Sequence, residues 1–276
     1  MSYARYVVSR LILYGLAIVA AMWVLIPLIL TLLWAFGSTK DLYDIHKIVP
    51  TSFTLENLYE IFMVLESWRA VVNSVIVAMI AIAISLALGL PAGYAFARYV
   101  FRGRDTLKLL IIATRMFPLT VAAVPLVVLY LKIGLSDTLL GIALAHAAMI
   151  LPFTIIITSS IFVGVPRDYE EAGLIFGLTR LGAFLRITLP LAAPGIAAAA
   201  MIGFIMSWNE VFAASILCLK TECRTLPAHV LTMVAARGAV PLNYFFAASL
   251  IMIVPTLLFV LIARRYLISA WGITLR

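Results

Sequence analysis

The sequence predicts an all-α integral membrane protein with six transmembrane helices, and three observations lead there. Hydrophobic residues make up 65% of the 276-residue chain and charged residues only 12%, against roughly half and a quarter in soluble domains. The apolar residues gather into runs long enough to cross a bilayer core of roughly 30 Å. The formal net charge of +8 sorts onto one side of those runs. Burying so much apolar surface in water is not open to a chain of this length. The solvent is therefore lipid, where a helix satisfies its own backbone groups.

The first run, Leu11 to Phe36, covers 26 residues, about 39 Å as a helix. A cleavable signal has an apolar core of only roughly 7–15 residues and a small-residue cleavage site. Trp34-Ala35-Phe36 is a poor site, so the run reads as an uncleaved span. Further runs fall near 70–97, 109–131, 138–163, 192–219 and 244–263. They leave no room for a separate soluble domain, and no repeat or low-complexity tract interrupts them. With the N-terminus inside, the cytoplasmic segments hold twelve cations and four anions, and the outer segments hold seven of each. Arg115 and Glu210 remain inside spans. The positive-inside rule then places both termini in the cytoplasm, and the basic balance reports topology rather than a nucleic-acid partner.

Within the spans, Ala81, Ala83, Ser85, Ala87 and Gly89, and later Gly195 with Ala197–Ala200, allow close helix approach. Pro118, Pro125, Pro152 and Pro255 can kink helices and free carbonyls. Cys218 and Cys223 lie at the outer end of the fifth run, where an oxidising exterior permits a bridge. Bridging needs a turn at Lys220-Thr221, since five residues along a helix point the side chains apart. Two free thiols are the expectation.

Between the fourth and fifth spans lie 27 residues, Gly164 to Pro190, with their own helix punctuation. Pro166 suits a first helical position, and Asp168, Glu170 and Glu171 load the first turn, where the helix dipole favours anions. Tyr169, Ala172, Gly173 and Phe176 fall on one face at helical spacing. Gly177 can end that helix in a left-handed conformation. Thr179 can cap a second helix with the stripe Leu181, Phe184, Leu185 and Thr188, and Pro190 closes it before the next span. Two short amphipathic helices on the basic side need a cover for their apolar stripes. Either they lie in the lipid interface or they dock in a groove of a cytosolic partner.

Glu171-Ala172, with five residues between Glu171 and Gly177 and nine between Gly177 and Ile187-Thr188-Leu189-Pro190, resembles the signature loop of binding-protein-dependent ABC importer permeases. Gly173 stands where a second alanine is usual, and Phe176 where sugar permeases commonly carry Asp. Further agreement runs through Phe53-Thr54-Leu55-Glu56-Asn57, Gly89-Leu90-Pro91-Ala92-Gly93-Tyr94-Ala95-Phe96-Ala97-Arg98, Met116-Phe117-Pro118, Gly134-Leu135-Ser136-Asp137-Thr138, Leu151-Pro152-Phe153 and Ser207-Trp208-Asn209-Glu210-Val211-Phe212. Together these are similar to maltose-type (MalG-like) carbohydrate-uptake permeases from about residue 11 to 272. The tail Trp271–Arg276 departs from the family's usual ending.

The resemblance implies a single permease domain over residues 1–276 with a coupling loop at 164–190, in a multi-pass protein of the inner membrane. It implies a second homologous permease chain, two ATP-binding subunits that carry ATP and Mg, and an extracellular solute-binding protein. The substrate it implies is a sugar, an oligosaccharide or sugar derivative, with glycerol-phosphate or polyol uptake as an alternative. The family's coupling role falls on Glu170, Glu171, Ala172, Gly173, Gly177, Ile187, Leu189 and Pro190. There Glu170 and Glu171 would meet basic groups or helix N-termini on the ATPase.

No G-x-x-x-x-G-K-[ST] phosphate loop occurs in the chain, and Gly37-Ser38-Thr39-Lys40 lacks the spacing. ATP hydrolysis is therefore expected on a separate subunit. No Cys/His set has metal spacing, and no nucleophile has a base nearby in sequence, so an enzyme has little support. A rival transport class, an ion- or proton-coupled carrier, would use the ionisable residues inside spans, here Arg115, His146 and Glu210. Helical rise sets Arg115 and Glu210 at depths that differ by about 15 Å, too far for an ion pair. Arg115 is expected to snorkel or meet a carbonyl, and His146 to be a packing residue. Trp208, Asn209 and Glu210 are expected to serve a gate or a structural hydrogen bond.

Overall fold

The apolar runs all become helices, but two of the six are broken. The structure, a computed structural model, describes residues 3–235 and 241–270, with side chains over 8–235 and 241–262. Among the described residues the only strand pairing is an isolated bridge, Gly37 to Phe53. Among the described residues five helices are long and apolar enough to cross a membrane, and six if one bent pair counts as a span. The tail Trp271–Arg276 lies outside the described residues.

By its contacts the chain divides into two units, Met1–Ser67 with Thr232–Val254, and Trp68–Leu231 with Pro255–Arg276. The first unit holds helix α1 (Tyr3–Ala35). Pro27 sits inside it, and Thr31 Oγ1 donates back to the Pro27 carbonyl at 2.8 Å. A loop follows, folded around polar side chains. The buried Asp41 carboxylate accepts the backbone N–H and hydroxyl of both Thr51 and Ser52 and is paired with Lys47. The Asn57 amide donates to the carbonyls of Ala35 and Gly37.

The second unit carries α2 (Ser67–Arg98, its first residue excepted), α3 (Arg104–Ala113), α4 (Leu119–Lys132) and α5 (Leu139–Val163). α2 and α5 pack through small residues, as expected. Ser85 Oγ and Thr154 Oγ1 are 2.7 Å apart. A Cβ on Gly93 would meet the Thr158 hydroxyl and come within 3.0 Å of the Ser159 backbone nitrogen. That nitrogen cannot move aside as a side chain could, so the close approach needs glycine.

The third run is not one straight span. A 3-10 turn at Thr114–Met116 separates α3 from α4, and the two bend by 86°. Phe117 is extended and Pro118 follows it; proline lacks an N–H and disfavours helix in the residue before it. Arg115 therefore sits at a break rather than part-way up a continuous helix.

The helices of the loop between the fourth and fifth spans are α6 (Arg167–Ile175) and α7 (Arg180–Ala183), followed by a π turn at Phe184–Thr188 and α8 (Leu189–Trp208). Pro166 caps α6 rather than opening it. Pro190 does not close the second loop helix. It lies in the first turn of α8, where a missing N–H costs little. The widened turn before it lets Leu189 N–H reach the Phe184 carbonyl. Arg180 to Trp208 thus runs as one span. That span ends early: Asn209–Val211 interrupt it before α9 (Phe212–Leu217).

Cys218 and Cys223 form a disulfide, with Cα atoms 5.9 Å apart, against the expectation of free thiols. The helix ends at Leu217, so the helical geometry that would point the side chains apart does not apply. A 3-10 turn over Thr221–Cys223 brings them back. Asp137 anchors the loop: its carboxylate accepts N–H groups of Leu219 (2.7 Å) and Lys220 (3.2 Å), and its own N–H donates to the Leu217 carbonyl (2.8 Å). The Leu219 N–H is the main cause holding the Asp137 carboxyl below its usual range, with the Lys220 N–H and charge adding to it. Asp137 also lies close to both sulfurs, but sulfurs joined to each other are not thiolate ligands. Alkylating the unfolded chain before reduction should block no cysteine, and after reduction two; two labelled before reduction would contradict the bridge. The last helices are α10 (Leu226–Ala235) and α11 (Leu242–Ala270).

Candidate functional site

The loop helices α6 and α7 meet at a left-handed residue, Gly177 at φ +88°, where a Cβ would crowd the backbone. Thr179 caps α7, its hydroxyl accepting the Gly182 N–H at 3.1 Å. Both features follow the sequence expectation. The faces do not. Glu170 and Gly173 turn inward on α6, while Tyr169, Ala172 and Phe176 are exposed. On the second segment Ala183, Phe184 and Thr188 turn inward, and Leu181 and Leu185 are exposed. The inward side of α6 is thus polar, because of what Glu170 meets there.

Glu170 does not face outward beside Glu171. Its Oε1 accepts Arg98 Nε at 2.7 Å and Thr188 Oγ1 at 2.8 Å, and its Oε2 accepts Tyr94 Oη at 2.8 Å. Arg98 Nη2 also lies 2.6 Å from Oε1 and donates to the Val165 carbonyl at 2.8 Å. Burial alone would raise the Glu170 carboxyl. The hydrogen bonds from Arg98, Thr188 and Tyr94, with the Arg98 charge, outweigh it and hold the group below its usual range. The network ties α6 to the end of α2 and to the π turn. Tyr94, Arg98 and Thr188 were not singled out from sequence as its partners. The signal was present: Tyr94 and Arg98 stand four apart at the end of a span, on one helix face.

Gly173, the first departure from the signature, packs against Ile187, whose Cδ1 occupies the place a Cβ would take. Leu189 is half-buried and Pro190 exposed. Phe176, the second departure, is 89% exposed and its neighbour Ile175 85%. Glu171 is exposed too. The loop therefore has an inward polar lock and an outward tip that is mostly apolar. Beside it lies a cavity of about 170 Å³ lined by Tyr99, Arg167, Glu171 and Arg180 among others.

A second cluster lies in the broken fifth span. His146 Nε2 is 3.0 Å from Glu210 Oε2, and His146 Nδ1 is 2.7 Å from Ser207 Oγ. Glu210 also accepts the N–H groups of Ala213 and Ala214 at 3.0 and 3.3 Å. Trp208 is fully buried, stacked near Phe204 at 5.6 Å. Asn209 is exposed, its amide donating to the Ile205 carbonyl at 2.8 Å. Arg115 stands apart from this group, its guanidinium 4.9 Å above the Phe153 ring. Of the three ionisable residues expected within spans, the structure thus joins His146 to Glu210 and leaves Arg115 elsewhere. Ser207, the third member, was quoted only as part of a motif.

Residues 85–269 match the family described as binding-protein-dependent transport system inner membrane component. The chain belongs to that family. Its place is therefore the inner membrane, as a permease component of a transport system rather than an enzyme. The family does not favour an ion- or proton-coupled carrier. The diacetylchitobiose uptake system permease protein DasC of Streptomyces coelicolor is 31% identical over 252 residues, 90% of this chain and 91% of that protein. The trehalose transport system permease protein SugB of Mycobacterium tuberculosis is 31% identical over 245 residues, 87% and 89% of the two chains. A chain in the crystal structure of a bacterial ABC transporter involved in the import of the acidic polysaccharide alginate shares the fold. It has a TM-score of 0.82 at 20% identity and covers 96% of this chain and 98% of that one.

Proposed function

We propose that the chain is one of two homologous permease subunits of an ATP-driven sugar importer, with both termini in the cytoplasm. The two-sided loop carries the reading. A locked inner face makes the loop move with α2 and α8, and an exposed tip of Glu171, Ile175 and Phe176 offers a surface to a separate ATP-binding subunit. Two such subunits would hold ATP and Mg, and an extracellular solute-binding protein would deliver the substrate. In this arrangement Glu171, Ala172 and Gly177 shape the docking tip, and Gly173, Ile187, Leu189 and Pro190 join it to the fifth span. Glu170 acts inward, as the lock. The relatives named for diacetylchitobiose and trehalose support an oligosaccharide as cargo.

The test is ATP hydrolysis by the purified transporter across a sugar panel, with and without the binding protein. Hydrolysis should rise several-fold only when the binding protein carries its own sugar, and uptake at fixed ATP should ignore an imposed proton gradient. Uptake driven by the gradient without ATP would overturn the reading.

A further inference from the structure

The fifth span breaks where its sequence holds neither proline nor glycine. α8 ends at Trp208, α9 starts at Phe212, and Asn209-Glu210-Val211 lie between. Within a membrane, non-helical backbone is tolerated only where protein buries it or it lines a wet cavity. Glu210 meets part of that requirement itself by accepting the Ala213 and Ala214 N–H groups. The solution places a carboxylate within a span, where an ionisable group needs a partner.

His146 is that partner, with 1% of its surface exposed. A carboxylate only accepts, so Nε2 carries its hydrogen toward Glu210, and Nδ1 pairs with the Ser207 hydroxyl at 2.7 Å. The ring thus ties the break to the end of α8, bonded to Ser207 before it and to Glu210 within it. We infer that His146 is a positioning residue for transport: through Glu210 it fixes α9 and the exposed Asn209 relative to α8. The inference rests on the permease reading above. A single buried ring holding two helix ends biases whichever arrangement of the break it fits, and so the conversion of ATP-driven closure into sugar movement.

The complete transporter in proteoliposomes tests this, with sugar uptake, ATP hydrolysis and hydrogen exchange over residues 209–217 read on the same preparations. His146→Ala should lower sugar moved per ATP roughly 10- to 100-fold, the range for losing a hydrogen bond to a charged group, and speed exchange in 209–217. His146→Gln, whose amide can donate to Glu210 and accept from Ser207, should restore most of the ratio. A purely structural role would lower yield and melting temperature of His146→Ala while leaving sugar moved per ATP unchanged; that result overturns the inference. If His146→Ala does not assemble, Ser207→Ala and Glu210→Gln carry the test, and wild-type ratios in both overturn it. A wild-type transporter that moves no sugar on ATP would contradict the permease reading instead.

Discussion

Glu170→Ala should destabilise the chain by roughly 3–5 kcal/mol, the scale for removing one partner of a buried ion pair. Its carboxylate is the group that meets Arg98, Tyr94 and Thr188 together. The Arg98 side chain is only 7% exposed, so the substitution leaves a buried guanidinium without its carboxylate and two hydroxyls without their acceptor. Glu171→Ala, one residue on and exposed, should leave the melting temperature nearly unchanged. The pair separates lock from tip, and a thermal melt of both variants in detergent measures it. Equal melting temperatures would remove the lock. The same network predicts a pH dependence. The folded-state carboxyl of Glu170 is held below its usual range. Its contribution is therefore complete above the free carboxylate value of about 4.3 and fades as pH falls through the lower folded value. In Glu170→Ala that part of the acid sensitivity should vanish.

The second large effect is functional. Gly177 adopts φ +88°, whereas proline is held near −65°, so Gly177→Pro cannot form the turn between α6 and α7. The spans do not depend on that turn, and the variant should still insert. Sugar uptake should fall roughly 10²-fold, the cost of misplacing a functional group by about 1 Å, and hydrolysis should no longer respond to the sugar-loaded binding protein. Glu171→Lys, which reverses the charge of the tip without strain, should uncouple in the same sense. Uptake assays in vesicles alongside ATP hydrolysis show it; normal uptake by Gly177→Pro would remove the loop from coupling.

Much of this was legible in the sequence because it is written in local chemistry. Gly177, the Thr179 cap and the helical runs follow from backbone geometry and periodicity, which depend on neighbours in sequence. The errors arise where distant residues decide. Helical spacing put Tyr169, Ala172 and Phe176 on one face but could not say which face turns inward, because Arg98 and Tyr94 lie some seventy residues earlier in the chain and require a carboxylate. Pro190 reads as a stop signal unless the π turn before it is known. The break at Asn209–Val211 has no local breaker, and the partner that Glu210 meets there, His146, lies 64 residues earlier in the chain. Cys218 and Cys223 came together because Asp137, from another loop, holds the turn between them.

The most direct measurement of the docking tip is cross-linking from Phe176→Cys. The native cysteines are joined to each other, so a maleimide cross-linker applied without reductant reports the new thiol alone. In the assembled transporter Phe176→Cys should cross-link to the ATP-binding subunit, and the yield should change when ATP is added. Cross-linking confined to this chain or the other permease subunit, with none to the ATP-binding subunit in either nucleotide state, would contradict the account.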